Sequence, residues 1–136
     1  MSDYPRLLHT VLDTTDVRGL AEFYRELLGL HYRRGDEPPT DGPDDADWLV
    51  LVDEDDDRVL AFQEVDRLEP TTWPEHDVPM QLHLDLTVPD VDALERHRTR
   101  ALALGARELV ARTDDEEEPL YVFADLAGPP FCVFVG

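Results

Sequence analysis

The sequence contains no lysine; all 12 of its basic residues are arginine, set against 32 acidic ones, for a formal net charge of −20. A field this negative repels phosphate backbones and anionic bilayers, which argues against nucleic-acid and membrane-surface partners. It favours a cationic or aromatic small-molecule ligand as partner, although charge of this kind also serves solubility alone. A GC-rich genome and a salt-adapted host would both produce such a composition. Cysteine is nearly absent as well. The single Cys132 excludes an internal disulfide and any paired-cysteine zinc ribbon. No apolar run approaches the roughly 20 residues of a membrane span. No basic and apolar leader precedes Tyr4. The expected location is cytoplasmic.

What the chain does have is repetition. "RLLHTVLDTTDVRGLAE" (6–22) and "MQLHLDLTVPDVDALE" (80–95) each place a histidine in an apolar-alternating run. In both, an aspartate seven residues later opens a helical pattern, and 74 residues separate His9 from His83 and Asp16 from Asp90. The first half reads as a strand at 7–13, then a helix at 17–28 capped by Asp16 and ended by Gly29. Leu20, Phe23, Tyr24, Leu27 and Leu28 form that helix's apolar stripe. Strands follow at 30–34, 48–52 and 58–65, with the Pro-, Gly- and Asp-rich segment 35–47 as a loop and the acidic "DEDDD" as a turn.

The second half repeats the order: a strand at 80–88, an Asp90-capped helix to about Leu104 and Gly105, then strands at 106–112, 120–125 and 130–135. "VLVD" (50–53) aligns with "VFAD" (122–125), and "AFQEV" (61–65) with "PFCVF" (130–134). With 42% hydrophobic residues and 136 in all, the chain suits one domain over 1–136. Unit one spans about 6–65, a Pro-rich linker 66–79, and unit two about 80–136. The expected fold class is α+β: two tandem β-α-β-β-β units forming a curved mixed sheet with a central groove, helices on the outer face. A continuous parallel α/β sheet would need more than two helices for about eight strands.

"DVRGLAEFYRELLGLHY" (16–32), "WPEHDVPMQLHLDLTVPDVDALE" (73–95) and "DLAGPPFCVF" (125–134) resemble the vicinal oxygen chelate superfamily. That group includes glyoxalase I, extradiol dioxygenases, and fosfomycin- and bleomycin-resistance proteins, and the match is to a glyoxalase-like subgroup. The resemblance implies a homodimer, since many members pair. It also implies one metal-ligand position on the first and last strand of each unit, which here map to His9, Gln63, His83 and Cys132.

Alternation supports these four as groove residues, because Leu60, Phe62, Phe131 and Val133 can face the helix side. Two imidazoles suit a divalent metal (Zn, Ni or Fe), and a thiolate suits Zn. Against a metal, Gln63 and Cys132 stand where the superfamily's metal enzymes usually have glutamates, and Glu64 points away from Gln63. His9 and His83 are then groove residues without an ion, and Cys132 a small hydrophobe. Trp48, Trp73, Tyr121 and Phe134 are aromatic candidates for ligand binding, with Gln63 and Cys132. Trp48 and Tyr121 read equally well as cross-strand core. His83 and Asp85 are the candidates for acid–base catalysis, and Asp16 and Asp90 are structural caps. The expected function is binding of an organic small molecule in the groove, with turnover open. The alternative is a metal-dependent lyase, isomerase or dioxygenase of glyoxalase type using His9 and His83.

Overall fold

Asp16 and Asp90 begin helices as their spacing predicts. In the computed structural model, which describes residues 3–136, the Asp16 carboxylate accepts the Gly19 N–H at 3.0 Å and that of Asp90 accepts the Ala93 N–H at 2.8 Å. Each satisfies one of the amides a helix start leaves unpaired. The elements are β1 (Thr10–Thr14), α1 (Val17–Leu28), β2 (His31–Tyr32), β3 (Trp48–Val52) and β4 (Arg58–Glu64), then β5 (Leu84–Val88), α2 (Val91–Ala103), β6 (Arg107–Arg112), β7 (Leu120–Ala124) and β8 (Pro130–Val135). They form two mixed four-stranded sheets, ordered β1-β4-β3-β2 and β5-β8-β7-β6, so the fold is α+β with two tandem units. The chain divides into two compact units, one running through Asp66 and the other from Arg67 to Gly136.

In the first unit α1 packs on β1, β3 and β4. Val17, Leu20, Ala21, Phe23, Tyr24 and Leu27 are buried on its inner face, against Leu12 of β1, Leu49 and Leu51 of β3, and Leu60 and Phe62 of β4. Tyr24 stacks on Phe62 with ring centroids 6.0 Å apart. Each fully buried side chain of this size contributes about 1.5–3 kcal/mol. Gly29 ends the helix at φ 68°, a left-handed conformation that glycine adopts without a Cβ penalty.

In the second unit α2 packs on β5 and β8. Only Ala93, Leu94 and Ala101 of α2 are buried, and the aromatic mass lies instead in the sheet, where Phe123 and Phe131 stack at 5.2 Å. The β7–β8 turn is held by Asp125, whose carboxylate accepts the N–H groups of Ala127 and Gly128. A Cβ at Gly128 would stand 3.1 Å from the Cα of Pro70. The segment expected as a linker therefore packs, at Pro70, against its own unit.

Three strands are shorter than expected by two residues or more. β1 begins at Thr10 rather than residue 7, β5 at Leu84 rather than 80, and β2 covers only His31 and Tyr32. Both β1 and β5 pair in parallel with a single neighbour, Thr10 opposite Leu60 and Leu84 opposite Phe131. Those partners begin only two residues before Leu60, at Arg58, and one residue before Phe131, at Pro130, so little ladder is left for the chain before Thr10 and Leu84. Leu7, Leu8 and Leu82 are exposed there.

Candidate functional site

Each sheet has one face under its helix and one turned away. In the first unit the face away from α1 carries His9, Val11 and Asp13 from β1 and the residue before it. Trp48, Val50 and Val52 from β3, with Ala61 and Gln63 from β4, complete it. The pairings Val11–Ala61, Asp13–Gln63, Trp48–Gln63 and Val50–Ala61 fix this arrangement. Val50, Val52 and Ala61 form a buried apolar cluster, and Trp48 packs on it, half-buried. The His9 ring is tilted against Trp48, centroids 6.2 Å apart at 54°.

The His9 Nδ1 is buried, with no hydrogen-bond partner among the described residues. Desolvation first, then the charges of Arg58 and Arg33, hold this imidazole below its ordinary pKa, so the neutral form is favoured. Gln63 is exposed on the same face. Glu64, one residue on, turns to the helix side, its carboxylate 3.5 Å from the Val17 N–H. Asp13 belongs to this face too, although sequence reasoning passed over it. Its place four residues after His9 on an alternating strand was the available signal.

In the second unit His83 precedes β5, and its Nε2 lies 3.2 Å from an Asp85 carboxylate oxygen. Asp85 stands opposite Cys132 across the parallel β5–β8 pair, and Val122 is the antiparallel partner of Cys132 in β7. One donor atom from each of His83, Asp85 and Cys132 lies within 4.8 Å of the others. Burial foremost, then the charge of Asp85 and a hydrogen bond to it, push the Cys132 thiol up to about 11. It is protonated at neutral pH and no ready nucleophile. Phe134 lies on the same face, two residues beyond, opposite Thr87 and Leu120.

Two expectations need correction. Tyr121 does not share the face of Cys132. It pairs with Val133 on the helix side, donates its hydroxyl hydrogen bond to Glu95 of α2 at 2.6 Å, and lies under the Arg98 guanidinium at 5.1 Å. It is helix-side core, the second of the two readings open for it. The alignment of "AFQEV" with "PFCVF" also fails. Counting 74 residues from β1 to β5, the register sets Val11–Ala61 against Asp85–Cys132. The counterpart of Cys132 in the repeat is therefore Ala61, and that of Gln63 is Phe134. Trp73 lies outside both sheets, in the 66–79 segment, where its backbone N–H donates to Thr71 Oγ1 at 3.1 Å.

Chemically, the first unit offers a half-buried indole, packed on a buried apolar cluster, and a neutral imidazole. The second offers a nitrogen, a carboxylate and a thiol close together. No helix among the described residues is long and apolar enough to cross a membrane.

Known proteins accord with this architecture. The chain is similar in fold to a fosfomycin resistance protein from Listeria monocytogenes, at TM-score 0.69 and 15% identity, covering 98% of this chain and 94% of that one. It is similar to a glyoxalase/bleomycin resistance protein/dioxygenase family enzyme from Burkholderia phytofirmans, at TM-score 0.67 and 14% identity, covering 94% and 96%. A lactoylglutathione lyase from Agrobacterium tumefaciens gives TM-score 0.62 at 17% identity, covering 99% and 96%. No curated protein sequence matches significantly. The family model described as a glyoxalase-like domain matches residues 9–134, nearly the whole chain. The protein belongs to the glyoxalase-like domain family, within the vicinal oxygen chelate superfamily.

Proposed function

We propose that the protein binds an organic small molecule, aromatic or cationic, against the sheet face that carries Trp48, His9 and Gln63. The observation that carries this reading is the His9–Trp48 pair. The half-buried Trp48 packs on a buried apolar cluster, beside a buried imidazole nitrogen that has no hydrogen-bond partner among the described residues. Small-molecule sites combine apolar and aromatic lining with a few convergent polar groups in this way. The second unit is read by itself: Cys132 and Phe134 share one sheet face there and would contact any ligand that this unit holds. His83 or Asp85 would supply acid–base chemistry if the ligand is turned over. Two of the similar proteins are described by fosfomycin or bleomycin resistance, in keeping with a drug-sized ligand. The net charge of −20 favours a cation.

Of the positions that hold the superfamily's metal, the first unit supplies His9 and Gln63 and the second supplies His83, while the repeat's counterpart of Gln63 is Phe134, which offers no ligand. The fit is partial. An imidazole in each unit is a good donor for a borderline ion, while the Gln63 amide is neutral and weak.

The test is a titration with a planar aromatic cation followed by fluorescence. Affinity should fall as salt rises, because screening shortens from about 10 Å at 0.1 M to about 3 Å at 1 M. Trp48→Ala should weaken it further and His83→Ala less. Saturable binding that Trp48→Ala leaves intact would sink this placement. A homodimer belongs to the same proposal, since each sheet ends in edge strands, β1 and β2 in one and β5 and β6 in the other. Sedimentation at moderate ionic strength that gave only 15.5 kDa would refute it.

A further inference from the structure

We infer that His83, Asp85 and Cys132 form a divalent-metal site contained within the second unit, suited to Zn²⁺, that requires neither His9 nor Gln63. The inference does not rest on the small-molecule reading.

Geometry comes first. The three donor atoms lie within 4.8 Å of one another. Ligands around a tetrahedral zinc with bonds of about 2.0–2.3 Å stand roughly 3.3–3.8 Å apart, so small side-chain rotations close the site. Asp85 and Cys132 face each other across a regular parallel ladder. His83, two residues before Asp85, already meets the carboxylate at 3.2 Å.

Donor chemistry comes next. Imidazole, carboxylate and thiolate are all zinc ligands, the Cys132 thiol giving up its proton to solvent as the ion binds, and three protein donors leave a fourth position for water or a ligand, as catalytic zinc sites do. A soft thiolate selects Zn²⁺ over Mg²⁺ or Ca²⁺.

The repeat supplies a further argument. In the first unit the places of Asp85 and Cys132 are taken by Val11 and Ala61, with the same backbone pairing. The sheet architecture alone therefore does not call for polar groups there. The acidic turn after β3 makes a contrast. Asp53, Asp55 and Asp57 also cluster, but Asp53 already accepts the N–H groups of Asp55 and Asp57, and turn geometry accounts for the group. No site is inferred there.

The experiment uses the full chain, made without an affinity tag and stripped with chelator. Zn²⁺ is titrated calorimetrically and Co²⁺ by absorption spectroscopy. One ion per chain is expected, with a thiolate-to-cobalt charge-transfer band that Cys132→Ser abolishes. Asp85→Asn and His83→Ala should each weaken Zn²⁺ by about tenfold or more, the least that disturbing even a supporting residue costs, while His9→Ala, Gln63→Ala and Asp53→Asn stay within about twofold. Circular dichroism of the stripped variants checks their fold, and His83→Gln replaces His83→Ala if that chain does not fold.

Several results would overturn the inference. One is no stoichiometric ion; another is a cobalt complex without the thiolate band. A loss on His9→Ala or Gln63→Ala as large as that on Asp85→Asn would mean a ligand set drawn from all four positions. A loss on Asp53→Asn would place the ion in the acidic turn.

Discussion

The two units share strand order, helix caps and backbone register, yet they distribute their apolar volume differently. In the first, α1 presents Phe23 and Tyr24 to a sheet face of Leu49, Leu51, Leu60 and Phe62. Seventy-four residues on, α2 has His97 and Arg98 in those helical places, while the facing strands carry Tyr121, Phe123, Phe131 and Val133. Aromatic bulk has moved from helix to sheet, and the layer between them stays filled. A close-packed interior needs volume in the right layer, not on a particular element. The faces turned away from the helices differ in kind: Val11 and Ala61 against Asp85 and Cys132. One topology thus provides an aromatic, mostly neutral surface in one unit and a set of ionisable donors in the other.

The largest expected effect tests where the volume sits. Phe23→Ala and Phe131→Ala should each destabilise the protein by about 3–5 kcal/mol in urea unfolding. His97→Ala, at the helical place of Phe23, should cost about 1 kcal/mol or less. A His97→Ala loss equal to that of Phe23→Ala would break the comparison, since α2 would then contribute to its core as α1 does.

A smaller effect tests what the units share. Asp16→Ala and Asp90→Ala should each cost about 1 kcal/mol, because each removes one cap bond at a helix start. Unequal losses, with one near zero, would show that one helix start is held by other contacts.

The smallest effect in stability is the most specific chemically. With chelator present, Cys132 in the folded chain should alkylate slowly at pH 8, because its thiol titrates at about 11 rather than 9.0. The folded state then holds this proton longer than the unfolded one. The stability linked to it is complete below pH 9 and is lost as pH rises through about 11. Asp85→Asn, which removes the neighbouring negative charge, should speed alkylation. Equal rates in folded and urea-unfolded protein would show that burial does not protect the thiol. No thiol in the first unit complicates the measurement, since Cys132 is the only cysteine.

Local features fixed much of this in advance. Asp16, Gly29 and Asp90 act at helix ends through their own backbone neighbourhood, so sequence alone located α1 and the start of α2. The i, i+3, i+4 stripe named the buried face of α1, and alternation put Glu64 opposite Gln63. Alternation was silent in "WLVLV" and "LYVFA", where apolar residues fill both faces. The side of the sheet that takes Tyr121 was therefore settled only by Glu95 and Arg98 of α2. Register lay further out of reach. A shift of two residues between parallel strands leaves every side chain on its own face, so period-two reasoning cannot detect it. Only the packed crossover of β5, α2 and β8 set Asp85 beside Cys132 and made Ala61, not Gln63, the counterpart of that cysteine.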